Sequence, residues 1–466
     1  MIPLLAAWAL LAASPAPSAR LPTGEVVERL ACRETPDSSY ALYLPTAYGE
    51  DPVRPLVIMM DPRGRAVQAL ERIRGAAEHR GYVVMSSYDT RSDGPREPNA
   101  AALRALLPEA ETRLGIDTRR IYLAGFSGTA RAAWDFALAL PGHVAGILSF
   151  GAGLPPGRET AHGAGFAVFG GAGVTDFNYQ EMRTFEELLE TADVPHRIRF
   201  YPGGHAWPPP EVFDEALTWM ELQAVRGGLR PASAALVEDA YRESLAAARL
   251  LEAQPDLPGA FRRYAWIRED FEGLIQVTAA DERWAELRRD PEVRRARKQE
   301  NRIAARERSF QARFHEHLAS LRSVTPLPEP GRSVSRLGIQ ALRSQEQEAG
   351  DVLEREMAAR MLETVFVYTS FYETRRFLEA GDPARALLMV EIAAAARPGH
   401  PRVCWNRARA LAQLGNLDGA LEALSCVIAA GAVSRQILEA EPYLAPVRGT
   451  DAFRSMTRGM TAPEEE

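Results

Sequence analysis

Ile121-Tyr122-Leu123-Ala124-Gly125-Phe126-Ser127-Gly128-Thr129 is the stretch on which the reading of this chain turns. A short apolar run, a serine among small residues and a helical pattern beyond it describe a buried strand that turns sharply into a helix. That turn lifts a serine hydroxyl clear of a sheet edge, where it can act as a nucleophile. Gly125 and Gly128 have no β-carbon, so the backbone can turn tightly around the serine. Gly-x-Ser-Gly also fits an ordinary loop or helix N-cap, in which the hydroxyl only accepts a backbone N–H. The surrounding chain decides between these readings.

From Glu25 to about Gly228 the pattern alternates strand and helix. Glu25 to Cys32 and Tyr40 to Leu44 form an opening pair of strands around the turn formers Thr35 to Ser38. Pro55 to Met60 is continuously apolar and ends at Asp61-Pro62, as expected of a strand buried on both faces. Helices are expected over Val67–Arg80 and Ala100–Leu114, and a further buried strand over Tyr82–Met85. After the serine come a helix to about Leu140, strands at Val144–Phe150, Gly165–Phe169 and Ile198–Tyr201, and a helix between the last two. Strands alternating with helices predict a mostly parallel α/β sheet with right-handed crossovers.

Beyond Gly228 the strand signals stop. Val237–Ala253 and Pro258–Phe271 read as a helical hairpin, and Glu282–Leu321 as a long charged helical stretch broken at Pro291. Its arginines alternate with glutamates, the pattern of a solvated helix with charges paired along one face rather than of a nucleic-acid patch. Thr325 to Gly331, with three prolines, is a linker or sharp break. Farther on, Gly381-Asp382 recurs as Gly415-Asn416, and Ala386-Leu387 as Ala420-Leu421, in both cases 34 residues later. This is the period of a tetratricopeptide repeat, which needs a glycine where two helices turn and alanines where they cross closely. The similarity covers about residues 368–431, and the hairpin near Ala260 is a candidate degenerate repeat. The expected domains are therefore 20–228, α/β; 229–324, helical; a 325–331 linker; and 332–466, helical with repeats.

With 466 residues the chain is long enough for two or three cores. Its 55 basic and 62 acidic side chains give a net charge of −7, which offers no basis for nucleic acid or an anionic membrane surface as partner. Pro3 to Ala13 is an apolar run followed by small residues, too short to span a bilayer, and reads as an export signal over residues 1–19. The expected location is therefore periplasmic or secreted. Cys32, Cys404 and Cys426 have neither the number nor the spacing of a disulfide framework or a metal site.

A serine hydroxyl attacks at neutral pH only if a base takes its proton. Of the eight histidines, His205 alone stands in an informative setting, after a strand and Pro202-Gly203-Gly204 and before Ala206-Trp207-Pro208. The other seven, including His400, read as surface or core residues. An imidazole needs an acceptor for its second N–H. Asp176, beyond the strand ending at Phe169, offers one, although an aspartate there can equally cap the helix beginning near Tyr179. The chain order serine, aspartate, histidine, each after a strand, is that of α/β-hydrolases. Two N–H groups must also receive the oxyanion. Gly128, after the serine, is one candidate, and Arg63 or Gly64, in the loop after Met60, supplies the other, since Pro62 has no N–H.

On Gly125-Phe126-Ser127-Gly128, the Asp176 loop and Gly203-Gly204-His205 with Trp207-Pro208, residues 40–225 resemble the α/β-hydrolase esterases related to polyhydroxybutyrate depolymerases, feruloyl esterases and dienelactone hydrolases. The resemblance implies an α/β-hydrolase domain with Ser127, Asp176 and His205 as nucleophile, acid and base. It also implies hydrolysis of a small or polymeric ester without metal or organic cofactor. Two positions depart from the pattern. Thr129 replaces the usual last glycine, which is expected to loosen the helix behind the turn, and the loop after Met60 lacks the usual His-Gly start. The rival expectation is an inactive or scaffold hydrolase domain beside repeats that recruit a protein partner. Peptide cleavage by the same residues is a third. Because few residues join Phe150 to Gly165, no lid domain fits there and an open cleft is expected, unless the C-terminal helices cover it.

Overall fold

The computed structural model describes residues 21–458 except 52 and 255, together with 460; the expected export signal at 1–19 lies outside them. Eight strands form one sheet: β1 (Val26–Ala31), β2 (Ser39–Tyr43), β3 (Arg54–Met60), β4 (Val83–Ser87), β5 (Ile116–Phe126), β6 (Gly146–Phe150), β7 (Ala167–Gly173) and β8 (His196–Tyr201). Their spatial order is 1-2-4-3-5-6-7-8. β2 runs antiparallel to both β1 and β4, and every other neighbouring pair is parallel. This is the α/β-hydrolase sheet.

The helices that flank the sheet are α1 (Ala66–Arg80), α2 (Glu97–Arg113), α3 (Gly128–Ala139) and α4 (Tyr179–Thr191) between strands, and α5 (Pro210–Arg226) after the last strand. Alternate β3 side chains explain the layers. Leu56, Ile58 and Met60 face a core shared with α2, α3 and α4. Val57 and Met59 face one shared with α1 and α5. A strand covered on both sides has no solvent face, hence the unbroken apolar run.

The rest of the described chain is helical: α6 (Ala234–Ala253), α7 (Leu257–Asp270), α8 (Thr278–Leu287), α9 (Pro291–Leu321), α10 (Pro330–Leu337), α11 (Ile339–Glu348), α12 (Val352–Val367), α13 (Thr374–Glu379), α14 (Pro383–Ala396), α15 (Pro401–Gln413), α16 (Leu417–Ala429), α17 (Arg435–Ala440), α18 (Ala445–Arg448) and α19 (Asp451–Arg458). A π-helical turn, Tyr368–Glu373, joins α12 to α13. The 34-residue recurrence has a structural counterpart. Gly381 and Gly415 both adopt left-handed backbone, with φ 70° and 77°, and Asp382 and Asn416 then cap α14 and α16 through their side chains. The segment expected to divide the helical part does not divide its core. α9, on one side of residues 325–331, shares an apolar cluster with α10, α12 and α14 on the other.

One sequence expectation is corrected here. Cys404 and Cys426, 22 residues apart, form a disulfide between α15 and α16, while Cys32 is free and buried. A helical hairpin brings the two sulfurs together, and no short sequence motif encodes that approach.

Candidate active site

Ser127 lies between β5 and α3 with φ 56° and ψ −128°, a conformation rare for a non-glycine residue. Its neighbours make the turn feasible. A β-carbon on Gly125 would lie 2.5 Å from the Ala130 nitrogen, and one on Gly128 2.3 Å from Ser92 Oγ. Thr129 does not loosen the turn. Fully buried, its Oγ1 accepts from the Phe126 N–H at 3.1 Å and lies 2.6 Å from Met60 O and 2.8 Å from Phe126 O, either of which takes its proton. The hydroxyl thus fastens the start of α3 to the end of β3, a tie that glycine would lack.

Asp176 and His205 come from the loops after β7 and β8. These loops approach closely because the residue ending β7 is Gly173, where a β-carbon would lie 2.2 Å from Gly203 O. The N–H and Oγ1 of Thr175 both donate to that Gly203 carbonyl, at 2.9 Å each. His205 Nδ1 stands 2.9 Å from both carboxylate oxygens of Asp176, and its Nε2 stands 3.0 Å from Ser127 Oγ. With the Nδ1 proton held by the carboxylate, the Nε2 lone pair faces the serine hydroxyl. Asp176 is fully buried and also accepts from the Asn178 N–H at 2.8 Å. The helix cap weighed for it in the sequence is not its place: Asn178, not Asp176, is the cap residue of α4, and the Asp176 carboxylate faces His205 instead. Phe126 and Phe177 both pack against the imidazole, ring centroids 4.6 and 4.5 Å away, and limit its rotation.

The oxyanion candidates divide. Gly128 is the first residue of α3, so its N–H has no intrahelical acceptor. The N–H groups of the other two, Arg63 and Gly64, are engaged in this structure: that of Arg63 donates to Asp61 Oδ1 at 2.8 Å, and that of Gly64 to Asp61 O at 3.1 Å. Both donors are committed to Asp61, the residue that follows β3.

Asp61 is the residue that the sequence reading passed over. Its buried carboxylate accepts from Arg65 Nε at 3.1 Å and from Trp207 Nε1 at 2.9 Å, joining the loop after β3 to the segment after His205. Burial alone would raise its pKa, but the donors from Arg65, Trp207 and the Arg63 backbone outweigh that and hold the carboxyl below the usual range. The signal was present in the sequence: a carboxylate closing an apolar strand must find donors, and Trp207 beside the histidine supplies one.

Of the two expectations for the cleft, open or covered by the C-terminal helices, the structure has the second. Ser127 and His205 line a cavity of about 550 Å³ whose opposite wall is Phe366, Phe371, Tyr372, His400 and Arg402 from the helical region. The wall is anchored beside the acid. Phe177 packs into the helical core. Arg360 of α12, paired with Glu307 of α9 at 2.7 Å, donates from Nη1 to Val174 O at 2.7 Å, two residues before Asp176. Asn406 of α15 donates to Ser370 O in the π-turn and so holds α15 against it. Among the described residues no cluster of three or more His, Cys, Asp or Glu side chains suits a metal, and no helix is long and apolar enough to cross a membrane.

Residues 377–440 match the sequence family described as tetratricopeptide repeat. No curated protein sequence matches the chain. Among solved structures, it is similar to an S-formylglutathione hydrolase from Staphylococcus aureus, at 15% identity over 39% of this chain and 90% of that one, with TM-score 0.31. A ferulic acid esterase is 16% identical over 41% and 95% of the two chains, with TM-score 0.33. An esterase from the archaeon Pyrobaculum calidifontis is 16% identical over 44% and 87%, with TM-score 0.36.

Proposed function

We propose that the chain is a serine hydrolase that cleaves carboxylic esters through an acyl-enzyme. The observation that carries this reading is the unbroken hydrogen-bonded line from Asp176 through His205 to Ser127, with its spacings of 2.9 and 3.0 Å. As Ser127 Oγ attacks the ester carbonyl, its proton moves to His205 Nε2, and Asp176 stabilises the imidazolium formed. The tetrahedral oxyanion takes the Gly128 N–H, and the Arg63 N–H must leave Asp61 before it can serve as a second donor. Collapse expels the alcohol, which leaves with the proton from His205. Water, activated by the same imidazole, then attacks the acyl-enzyme, releases the acid and restores Ser127.

The strained backbone at Ser127 supports the reading, since a serine that merely caps a helix needs no positive φ. The Cys404–Cys426 disulfide supports export, because such bonds persist in oxidising compartments. The commitment of Arg63 and Gly64 to Asp61 is the one observation favouring the rival, a hydrolase domain kept as a scaffold for repeats that recruit a protein partner. Labelling with a fluorophosphonate separates the two. Wild type is expected to label and Ser127→Ala to remain blank; wild-type protein that does not label would establish the scaffold reading.

A further inference from the structure

The cavity over Ser127 carries charge that its own walls do not neutralise. Two of its three carboxylates are ion-paired, Asp61 with Arg65 and Glu363 with Arg397 outside the cavity at 3.3 Å; the third, Asp93, accepts from Ser92 Oγ at 2.7 Å and keeps its charge, one anion against three arginines. Arg63 and Arg72 on the hydrolase side and Arg402 on the helical side also line it, and among the described residues none of the three forms an ion pair. Arg402 is half-buried, and its guanidinium sits 5.8 Å over the Phe366 ring and 5.4 Å over that of Phe371. Burial first, and the charge of the exposed Arg63 second, push its pKa down, more than Glu363 and Tyr372 push it up.

The backbone adds to this field. Arg402 stands in the first turn of α15, whose His400 cap also lines the cavity. A helix start carries partial positive charge. Phe126, Trp207, Phe366 and Phe371 line the same cavity as the serine and the cations. The walls therefore ask for an apolar body that ends in an anion.

We propose that Arg402, with Arg63, forms a carboxylate subsite, so that the substrates are esters carrying an acid group on an apolar body. This rests on the serine-esterase reading. A planar guanidinium is suited to bidentate carboxylate recognition, and an anion bound there relieves the repulsion between the two arginines. The tetratricopeptide-like region then serves as the specificity wall of the enzyme that it is fused to.

The test compares p-nitrophenyl hemiglutarate, which carries its carboxylate on the acyl side, and p-butyryloxybenzoate, which carries it on the alcohol side, with their uncharged counterparts p-nitrophenyl butyrate and phenyl butyrate. The full chain is expected to prefer one charged ester over its uncharged counterpart by about tenfold or more in kcat/KM. Which pair responds identifies the side on which the acid lies. Arg402→Ala is expected to abolish the preference, and Arg402→Glu to invert it in favour of a cationic ester, a gain that a misfolded variant cannot produce. No preference in either pair, or a preference that both variants leave unmoved, overturns the subsite while ester hydrolysis continues. If no ester is cleaved and Ser127 does not label, the esterase reading falls by itself. Titration of wild type and Arg402→Ala with monomethyl glutarate then decides the subsite: binding that depends on Arg402 upholds it, and its absence overturns it.

Discussion

The nucleophile turn and the wall that faces it are built on opposite plans. Ser127, Asp176 and His205 stand at the ends of β5, β7 and β8, where the sheet sets their separation and local glycines set their approach. Phe371, Tyr372 and Arg402 stand on helices far along the chain and reach the cavity only because α12 and α9 dock against the acid loop. On the proposed function and the proposed subsite, the difference is a division of labour: the sheet edge provides the chemistry, and the helical wall governs what reaches it. Changes on the first side should remove turnover whatever the substrate. Changes on the second should alter selection, alignment or stability.

The largest effect expected is on the sheet side. Asp176→Asn keeps the shape of the side chain but reverses the hydrogen bond to His205 Nδ1, which puts the imidazole proton on the wrong nitrogen. A loss of roughly 10⁴-fold in kcat is expected, as in other triads of this kind, for charged and uncharged esters alike. Kinetics on both substrates checks this; a loss confined to charged esters would place Asp176 in selection instead.

The docking residue comes next. Arg360→Ala leaves the Glu307 carboxylate, only 1% exposed, without its partner, at an expected cost of about 3–5 kcal/mol in urea unfolding. The double variant Arg360→Met with Glu307→Leu removes both charges, so most of that stability should return. It still lacks the bond to Val174 O. If the helical wall aligns the acid loop, the double variant keeps KM and loses kcat. Full kcat would confine Arg360 to a structural role.

How much of this the sequence disclosed follows the same division. The hydrogen-bonded line of Asp176, His205 and Ser127 was legible because each member follows its own strand with glycines beside it, so local pattern and long-range position coincide. The 34-residue period was legible because Gly381 and Gly415 meet the same backbone demand. Thr129 was misread because the pattern of small residues says only that space is short there; a buried hydroxyl with three partners satisfies the site as well as a missing side chain. The pairing of Cys404 with Cys426 and the use of the Arg63 and Gly64 N–H groups by Asp61 were not legible, and of the cover over the cleft the sequence offered only the alternative that C-terminal helices form it, not the residues that do. Each depends on contacts between segments whose spacing follows no period, and His400 lines the cavity for the same reason.

The disulfide sharpens the comparison at a smaller scale. It closes a 22-residue separation within the wall, so its loss should cost about 3 kcal/mol. Because α15 also carries Arg402, Cys404→Ser with Cys426→Ser is expected to lower Tm and weaken the preference for charged esters. The rate of fluorophosphonate labelling at Ser127 should stay within about twofold, since the triad is held by the sheet. Labelling that slows as much as selection weakens would mean that the two sides are mechanically one.

The smallest effect expected concerns Asp61, where the loop after β3 meets the segment after His205. Its donors hold the folded carboxyl below the unfolded value of about 3.9. A depressed folded pKa means that the charged form is the one folding favours. The contribution is therefore complete above that unfolded value and is lost as pH falls through the lower folded one. Asp61→Asn keeps the size of the group but gives up the charge facing Arg65, so it should be less stable than wild type by about 2 kcal/mol near neutral pH. The gap should narrow steadily below about pH 4 as the wild-type carboxyl takes up its proton. Paired urea unfolding curves across that range measure it. A gap that does not change with pH would mean that Asp61 acts through packing alone, and the tie between Trp207 and the loop after β3 would then owe nothing to its charge.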